Sequence, residues 1–319
     1  MQNFNQEFKT LNYLIKKSSS VLLFAHTRPD GDAAGSVLAL KYYLESLGKK
    51  ITIACFDPFP SFLENVFSER FESPAHLDLK SFDLIIACDA VERGFQKIFP
   101  EIKDEKIVAL IDHHPDISIK ADINIVGTEF SSVCEILYHF FTVNKINIDK
   151  KIATALLCGI LYDTGSFQHS NTTPDVMEIA SELVRKGASL SKIIIATFSN
   201  RKISTLKLWG RAFEKARLNP KSGMIASVLT QKDIGELEAN TDNIAQVAQI
   251  LNTVPGTKFA MILSERPGEI IKGSLRSEEY KGVDVSKIAA RFGGGGHKLA
   301  SGFEIKGKII ETENGWEIA

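Results

Sequence analysis

The stretch VLLFAHTRPDGDAAGSVLALKYYLESLG, residues 21–48, joins a short apolar run to a helical pattern through a polar loop. The run VLLFA (21–25) predicts a buried strand, because its hydrophobicity is continuous and does not alternate. After the loop, apolar side chains recur at helical spacing, and Gly48 predicts the end of that helix. A strand that leads directly into a helix is typical of α/β folds.

Further apolar runs along the first half of the chain predict more strands of the same kind, namely ITIAC (51–55), LIIAC (84–88), IVALI (107–111) and INIV (123–126). Continuous hydrophobicity predicts strands that are covered on both faces, as in a parallel sheet with flanking helices. From residue 131 the periodicity becomes helical. Thr173 and Pro174 predict a helix start, and Gly187 predicts the end of that helix.

The change of pattern along the chain predicts an α/β protein with two domains. Residues 1–188 are predicted to form the N-terminal parallel-sheet domain, and the helical pattern of 189–216 predicts a linker. Residues 217–319 return to strands separated by helices, which predicts a smaller α/β C-terminal domain.

Composition limits the classes of protein that this chain can represent. Its 319 residues are 44% apolar and 24% charged, and the net charge is −1, from 38 basic and 39 acidic residues. That charge balance argues against a long nucleic-acid footprint and permits a small phosphorylated substrate. The four cysteines form no CxxC pair and predict buried free thiols. No apolar stretch is long enough for a membrane span, so we expect no membrane contact and a cytoplasmic location.

Acidic side chains and histidines follow the predicted strands at the points where the strands end. Because the carboxyl ends of parallel strands meet at one edge of a sheet, these side chains are expected to lie together. Tandem histidines between two strands are harder to attribute to structure than one aspartate in a turn. The residues concerned are His26, Asp30 and Asp32 after the first strand, Asp89 after the third, Asp112, His113 and His114 after the fourth, and Asp163 at the end of a helix.

Such a cluster of carboxylates would repel itself unless cations occupied it. Mixed imidazole and carboxylate ligands suit manganese, iron or zinc better than calcium. Two ions that share a carboxylate can activate water and neutralise a phosphoryl group. The pattern therefore predicts a two-metal site for phosphoester hydrolysis.

Four N-terminal segments resemble the motifs of the DHH phosphoesterase superfamily, and two C-terminal segments resemble the DHH-associated domain. The former are HTRPDGDAAGS (26–36), CDA (88–90), DHH (112–114) and LYDTGSF (161–167), and the latter are GSLRS (273–277) and GGGGHKLASGF (293–303). The length is similar to the NrnA-type branch, the nano-RNases, rather than to the larger RecJ nucleases.

The resemblance implies one ion held by His26, Asp30 and Asp89, and a second held by Asp32, Asp89, His113 and Asp163. Asp89 would bridge the two ions, and manganese is the expected metal, with magnesium, iron or cobalt as alternatives. Asp112 would orient a neighbouring histidine rather than bind metal. His114 would face the substrate phosphate, so that His114, Asp89 and Asp112 are the expected catalytic residues.

In the C-terminal domain, a run of glycines lets backbone N–H groups approach an anion. Gly294, Gly295 and Gly296 are therefore candidate phosphate-binding residues, and Arg276 can form a bidentate fork on phosphate. The resemblance adds Ser277 and His297 to the residues that contact the terminal phosphate or the sugar.

The implied activity is hydrolysis of very short RNA and of 3′-phosphoadenosine 5′-phosphate. The alternative within the same chemistry is a phosphodiesterase acting on cyclic-di-AMP or on its linear product pApA. A third hypothesis is a non-catalytic nucleotide-binding regulator. The expected partners are short single-stranded RNA or small nucleotides and not long duplexes, and the resemblance leaves a homodimer open. His76 and His139 are interpreted as ordinary residues, while the role of His169 stays open.

Overall fold

The chain divides into two units, Met1–Asn200 and Arg201–Ala319. The computed structural model describes residues 3–115, 117–199, 202–239, 244–312 and 315–319. Within these ranges, no helix is both long enough and apolar enough to cross a membrane.

The first unit alternates strands and helices and then becomes helical, as the sequence predicts. Its elements are α1 (Asn5–Lys17), β1 (Ser20–Ala25), α2 (Gly31–Ser46), β2 (Lys50–Ala54), β3 (Leu84–Cys88), α3 (Gln96–Ile102), β4 (Ile107–Asp112), β5 (Ile123–Val126), α4 (Val133–Val143), α5 (Lys150–Asp163), α6 (Pro174–Arg185) and α7 (Leu190–Ile194). A kinked segment, Val91–Phe95, connects β3 to α3 and has non-helical backbone at Arg93 and Gly94. A π-helical segment, Ile195–Ser199, follows α7. All five predicted strands are confirmed within one residue at each end.

The five strands form one parallel sheet in the order β2-β1-β3-β4-β5. The order of the strands reverses between β1 and β3, because β2 lies on one side of β1 while β3 and its successors lie on the other. The crevice beyond the carboxyl ends of the strands at such a reversal is where open α/β sheets bind ligands. The loops after β1 and β3 are therefore the expected location of a functional site.

Both faces of this sheet are buried, which explains the continuous hydrophobicity of its strands. In β1, Leu23 packs into the core on one side, while Leu22 and Phe24 pack into the core on the other. Successive side chains of a strand point to opposite faces, so each strand contributes to both cores. The predicted parallel sheet with flanking helices is confirmed.

Local signals set several helix ends. Thr173 caps α6 by accepting a hydrogen bond from Val176 N at 3.2 Å, and Pro174 occupies the first helical position. Gly187 follows α6 with φ of 92°, a left-handed conformation that favours glycine. Gly48 follows α2 in the same way, with φ of 68°. All four positions act as the sequence predicts.

The second unit is a mixed sheet with helices on both faces. Its elements are α8 (Ile203–Glu214), β6 (Arg217–Asn219), β7 (Met224–Leu229), α9 (Gln231–Glu236), α10 (Ile244–Leu251), β8 (Phe259–Arg266), β9 (Ile270–Arg276), α11 (Val285–Ala290), β10 (Gly295–His297), β11 (Ala300–Lys306), β12 (Ile309–Thr312) and β13 (Gly315–Ile318). The main sheet has the order β10-β11-β9-β8-β7-β6, and β12 pairs with β13 alone. The predicted smaller α/β unit is confirmed.

The segment 189–216, predicted as a helical linker, is divided between the two units. Helix α7 and the π-helical segment after it belong to the first unit, whereas α8 belongs to the second. Helix α8 packs on its own unit through Leu208 and Ala212, which lie in a core with Ile225 of β7. The linker of 189–216 as a separate element stays a prediction.

The four cysteines, Cys55, Cys88, Cys134 and Cys158, are all buried and free, as the sequence predicts. Burial raises the pKa of the Cys88 and Cys134 thiols well above the ordinary value. Neither thiol will ionise near neutral pH, so both act as small apolar side chains.

Candidate active site

The first unit brings eight predicted residues to the carboxyl edge of its sheet. His26 follows β1, Asp30 and Asp32 flank the start of α2, and Asp89 follows β3. The DHH triplet at the end of β4 and Asp163 at the end of α5 complete the set. Separate elements therefore deliver imidazoles and carboxylates to one place.

These side chains form three overlapping groups of potential metal ligands, of which two match the predicted ion positions. His26, Asp30 and Asp89 form the first, and Asp32, Asp89 and His113 form the second. Within each group the ligand atoms lie within 4.8 Å of one another. Asp89 belongs to both groups, with Oδ2 at 3.3 Å from His26 Nε2 and Oδ1 at 4.0 Å from His113 Nε2. One carboxylate thus reaches both candidate ion positions.

Asp163 joins the second group through His113. Its Oδ2 lies 3.2 Å from His113 Nε2. Its backbone carbonyl lies 3.1 Å from His169 Nδ1 and also accepts from Asn171 Nδ2 at 3.2 Å. His169, whose role the sequence leaves open, therefore contacts the backbone that carries a predicted ligand.

The two predicted imidazole ligands are oriented as metal-binding histidines are. Nδ1 of His26 lies 2.8 Å from Thr27 O, and Nδ1 of His113 lies 3.3 Å from Phe130 O. A backbone carbonyl at one ring nitrogen fixes the tautomer and leaves the other nitrogen for the metal. Both Nε2 atoms face the carboxylates, so the residues fit a pair of divalent ions.

Asp32 is held from behind by the start of α4. Its two oxygens accept hydrogen bonds from Val133 N at 2.7 Å and from Cys134 N at 2.9 Å. Burial, followed by the charges on Asp163 and Asp89, raises the pKa of Asp32 well above its ordinary value. Mutual repulsion of this kind is what a bound cation removes.

Asp112 contacts His114, and these two residues form the third group of potential ligands together with Asp89. Its Oδ1 accepts from His114 N at 3.0 Å and lies 2.8 Å from His114 Nδ1. Nδ1 of His114 also lies 3.2 Å from Asp89 Oδ1. Asp112 therefore fixes the ring of His114, which leaves His114 Nε2 pointing away from Asp112.

Asp89 has a left-handed backbone conformation, with φ of 54°. Among residues other than glycine, asparagine and aspartate adopt this conformation most readily. Its N–H donates to Ile111 O at 2.9 Å, which joins the end of β3 to β4. Backbone strain at a residue shared by both ligand groups is typical of functional sites.

The acidic cluster is balanced by protonated histidines. Burial alone would lower the pKa of His26, but Asp30 and Asp89 outweigh it and raise the pKa to about 10. At His113, burial likewise lowers the pKa, but Asp163 and Asp89 outweigh this effect and raise the pKa to about 10. Near neutral pH both imidazoles hold protons that a metal ion must displace.

Metal uptake is therefore expected to release protons and to weaken as the pH falls. Metal ligation needs neutral imidazoles, and each proton displaced changes the apparent affinity by about 10-fold per pH unit below the pKa. Because the pKa values of His26 and His113 both lie above neutral pH, protons compete more strongly with the metal for these imidazoles as the pH falls. Calorimetric titration with Mn²⁺ in buffers of different ionisation enthalpy should give about two protons released per protein. Binding without proton release would contradict this assignment of the two histidines.

Gly159 of α5 leaves the space that Asp32 needs. A Cβ on Gly159 would overlap Asp32 Oδ1 and Cys134 Sγ. Gly159→Ala should therefore destabilise the fold by about 1–3 kcal/mol and weaken Mn²⁺ binding, because the Asp32 carboxylate must move.

Gly210→Ala in α8 is the matched control, since its Cβ would meet nothing within 4 Å. The control should gain up to about 1 kcal/mol by thermal unfolding with unchanged Mn²⁺ affinity. Equal Mn²⁺ affinity in both variants would show that Gly159 does not position Asp32.

Sequence reasoning missed Arg93. Its Nη1 lies 3.2 Å from His26 Nε2, and its Nη2 lies 3.3 Å from His114 Nε2. Nη1 also lies 3.7 Å from Asp30 Oδ2. The sequence feature that could have indicated Arg93 is its position four residues after Asp89, just beyond the end of a strand. It lies outside the CDA motif.

The predicted nucleotide-binding residues lie in the second unit. Arg276 ends β9, and its Nη1 donates to Leu275 O at 2.8 Å. Ser277 follows it and is buried, with its hydroxyl donating to Lys258 O at 2.9 Å. This bond occupies the hydroxyl hydrogen of Ser277, so contact of this side chain with a substrate stays a prediction.

The glycine run forms the turn into the hairpin of β10 and β11. Gly296 has φ of 131°, and a Cβ there would lie 2.7 Å from Ala300 O. Gly294 packs against Gly302 and Phe303, whereas a Cβ on Gly295 would meet nothing within 4 Å. His297 ends β10, and its carbonyl accepts from Ser301 Oγ at 2.6 Å. Gly294 and Gly296 are thus required by the backbone, while Gly295 is exposed.

A parallel sheet with two overlapping sets of imidazole and carboxylate ligands at its carboxyl edge defines a class of α/β protein that can hold divalent metal ions. The DHH family, N-terminal domain, matches residues 20–160, and the DHHA1 domain matches residues 221–314. Two relatives have the name bifunctional oligoribonuclease and PAP phosphatase NrnA. The one from Thermus thermophilus is 30% identical over 291 residues, covering 91% of this chain and 86% of the relative. The one from Bacillus subtilis is 31% identical over 298 residues, covering 90% and 89%.

The chain belongs to the DHH family, which confirms the resemblance found in the sequence. A crystal structure of an exopolyphosphatase-related protein from Bacteroides fragilis has the same fold. Its TM-score is 0.86 at 24% identity, and the match covers 95% of this chain and 92% of that one.

Proposed function

We propose that the protein is a manganese-dependent phosphoesterase that hydrolyses very short RNA and removes the 3′ phosphate of 3′-phosphoadenosine 5′-phosphate. The observation that carries the proposal is the position of Asp89, whose carboxylate reaches both groups of ligands. The activities for which the Thermus thermophilus and Bacillus subtilis relatives are named support the two substrates.

The residues fit two ions. His26, Asp30 and Asp89 would hold one, and Asp32, Asp89, His113 and Asp163 would hold the other. Such a pair of ions supplies an activated water molecule and neutralises charge on the phosphoryl group. Manganese is favoured over calcium because the ligands mix imidazoles with carboxylates.

The remaining catalytic work belongs to His114. Burial would lower the pKa of this histidine, but Asp112 and Asp89 outweigh it and raise the pKa to about 9. His114 therefore keeps its proton near neutral pH, and Asp112 holds the ring in place. A protonated imidazole can donate a hydrogen bond to a phosphate oxygen or a proton to the leaving group. This protonation supports a role as proton donor rather than as base.

Nucleotide recognition is assigned to the second unit. The exposed Gly295 can offer its backbone to an anion, and Arg276 can bind a phosphate by two parallel hydrogen bonds. The overall charge of −1 supports a substrate with few phosphates rather than a long strand.

The function is tested by product release from three substrates in parallel with Mn²⁺ present: pApA, cyclic-di-AMP and 3′-phosphoadenosine 5′-phosphate. Rapid turnover of pApA and the 3′ phosphate, with little turnover of the cyclic dinucleotide, is the expected result. Preference for the cyclic dinucleotide would replace the proposed substrates with a signalling nucleotide. Bound manganese without turnover of any of the three would instead support a nucleotide-binding regulator.

Arg276→Ala is expected to raise the KM for pApA by about 10-fold or more, because a charge-assisted bidentate contact is lost. Mn²⁺ binding should stay unchanged, since all proposed ligands lie in the first unit. Arg266→Ala is the matched control, because Arg266 ends β8 at the opposite end of the same strand pair. Equal KM values for the two variants would refute the assignment of Arg276.

A further inference from the structure

Arg93 is presented to the ligand cluster by a fixed segment of backbone. Its carbonyl accepts from Thr27 N at 2.8 Å, which joins the segment after β3 to the residue that follows His26. Phe95, two residues later, is fully buried in the core beneath the sheet. The base of the arginine is therefore held from two sides while its guanidinium reaches the cluster.

The guanidinium contacts the imidazole nitrogen of His26 that the proposed metal centre needs. Nη1 lies 3.2 Å from His26 Nε2, while Nδ1 of that ring faces a carbonyl. The Nε2 atom of a histidine has room for one partner in the plane of the ring, so an ion bound there would exclude the contact with Arg93. Metal binding at His26 therefore releases at least one arm of the guanidinium.

The released guanidinium would remain at the solvent side of the cluster. The side chain of Arg93 is 44% exposed, whereas those of His26 and Asp89 are each 2% exposed. Arginine side chains stay charged throughout the physiological pH range, so the guanidinium remains a cation. A planar cation with paired N–H donors matches the geometry of a phosphoryl group.

We propose that Arg93 binds the phosphoryl group of the substrate beside the metal site and that its charge opposes the binding of the metal ions. This inference rests on the proposed phosphoester hydrolysis and adds to it a residue outside the motifs. It has an unusual consequence, because the same charge that attracts phosphate repels the metal ions. Removal of Arg93 should therefore weaken phosphate binding and strengthen metal binding.

The test compares Arg93→Gln with Arg185→Gln, a variant that loses the same charge on α6. Binding of Mn²⁺ to the metal-free protein is measured by electron paramagnetic resonance, and binding of inorganic phosphate and AMP to the manganese-loaded protein by calorimetry. Arg93→Gln should bind Mn²⁺ severalfold more tightly than the wild type and bind both anions at least about 10-fold more weakly. Arg185→Gln should match the wild type in both measurements.

Turnover of pApA adds a third measurement. Arg93→Gln should lower kcat by about 10²–10³-fold, and Arg93→Lys should recover part of the loss, because lysine keeps the charge but not the fork. Unchanged anion binding in Arg93→Gln would overturn the proposal, and so would weaker Mn²⁺ binding, which indicates a structural role. If the wild type turned over no substrate, the proposed function would fail, while the two binding measurements would still decide the role of Arg93.

Discussion

Asp89→Asn is expected to abolish turnover, lowering kcat by at least about 10³-fold, and to remove tight Mn²⁺ binding. Asp89 is the residue common to both groups of ligands, with one oxygen toward His26 and the other toward His113. The side-chain amide of asparagine has only one oxygen and no charge, so it cannot bridge two cations. Because asparagine tolerates the left-handed backbone at this position, the fold should persist.

A matched control lies at the other end of the same strand. Asp83 precedes β3 as Asp89 follows it, and its Oδ2 accepts from Ser19 N at 2.7 Å and from Ser20 N at 3.0 Å. Asp83→Asn should cost about 1 kcal/mol of stability through weaker hydrogen bonds and leave Mn²⁺ binding and kcat unchanged. Activity of Asp89→Asn within about 10-fold of the control would refute the two-metal assignment.

The sequence was sufficient to predict the sheet because its strands are buried on both faces. Runs such as LIIAC carry no polar residue, and turn signals separate them from the helices. The order of the strands could not be predicted, because the sequence of a strand does not identify the strands with which it pairs. The position of His26 and Asp89 at the reversal between β1 and β3 became clear only from the pairing.

The types of ligand were predictable, but what holds them in place was not. The support of Asp32 comes from backbone N–H groups about 100 residues away in sequence, at the start of α4. Gly159 contributes only by lacking a side chain, which has no signature in one sequence. Arg93 was missed for a similar reason, because a surface arginine after a strand is common and its partners are tertiary.

Positively charged side chains offset part of the repulsion between the clustered carboxylates. Protonated His26, His113 and His114 and the guanidinium of Arg93 supply positive charge within the cluster. In the proposed assignment, ions bound by these carboxylates would take over part of this role.

Substitutions of the two adjacent histidines of the DHH triplet are expected to have different effects on metal binding and kcat. His113 faces Asp163 and Asp89 through Nε2, while its Nδ1 is held by Phe130 O. His113→Gln should therefore lower the number of tightly bound Mn²⁺ ions from about two to about one. Its kcat should fall accordingly, because one of the two positions that act on the phosphoryl group is lost.

His114→Gln should retain about two Mn²⁺ ions and lower kcat by about 10²–10⁴-fold, because a proton donor is lost while the ligands stay in place. Asp112 would still be anchored by His114 N, which the substitution does not change. His139→Gln is the control, a histidine of the same unit whose ring packs against Phe130 and Tyr138, and it should keep both the metals and kcat. Counting Mn²⁺ by electron paramagnetic resonance beside single-turnover hydrolysis of pApA separates the three variants. If His114→Gln lost an ion as His113→Gln does, His114 would be a metal ligand, and the proton donor would have to be found elsewhere in the site.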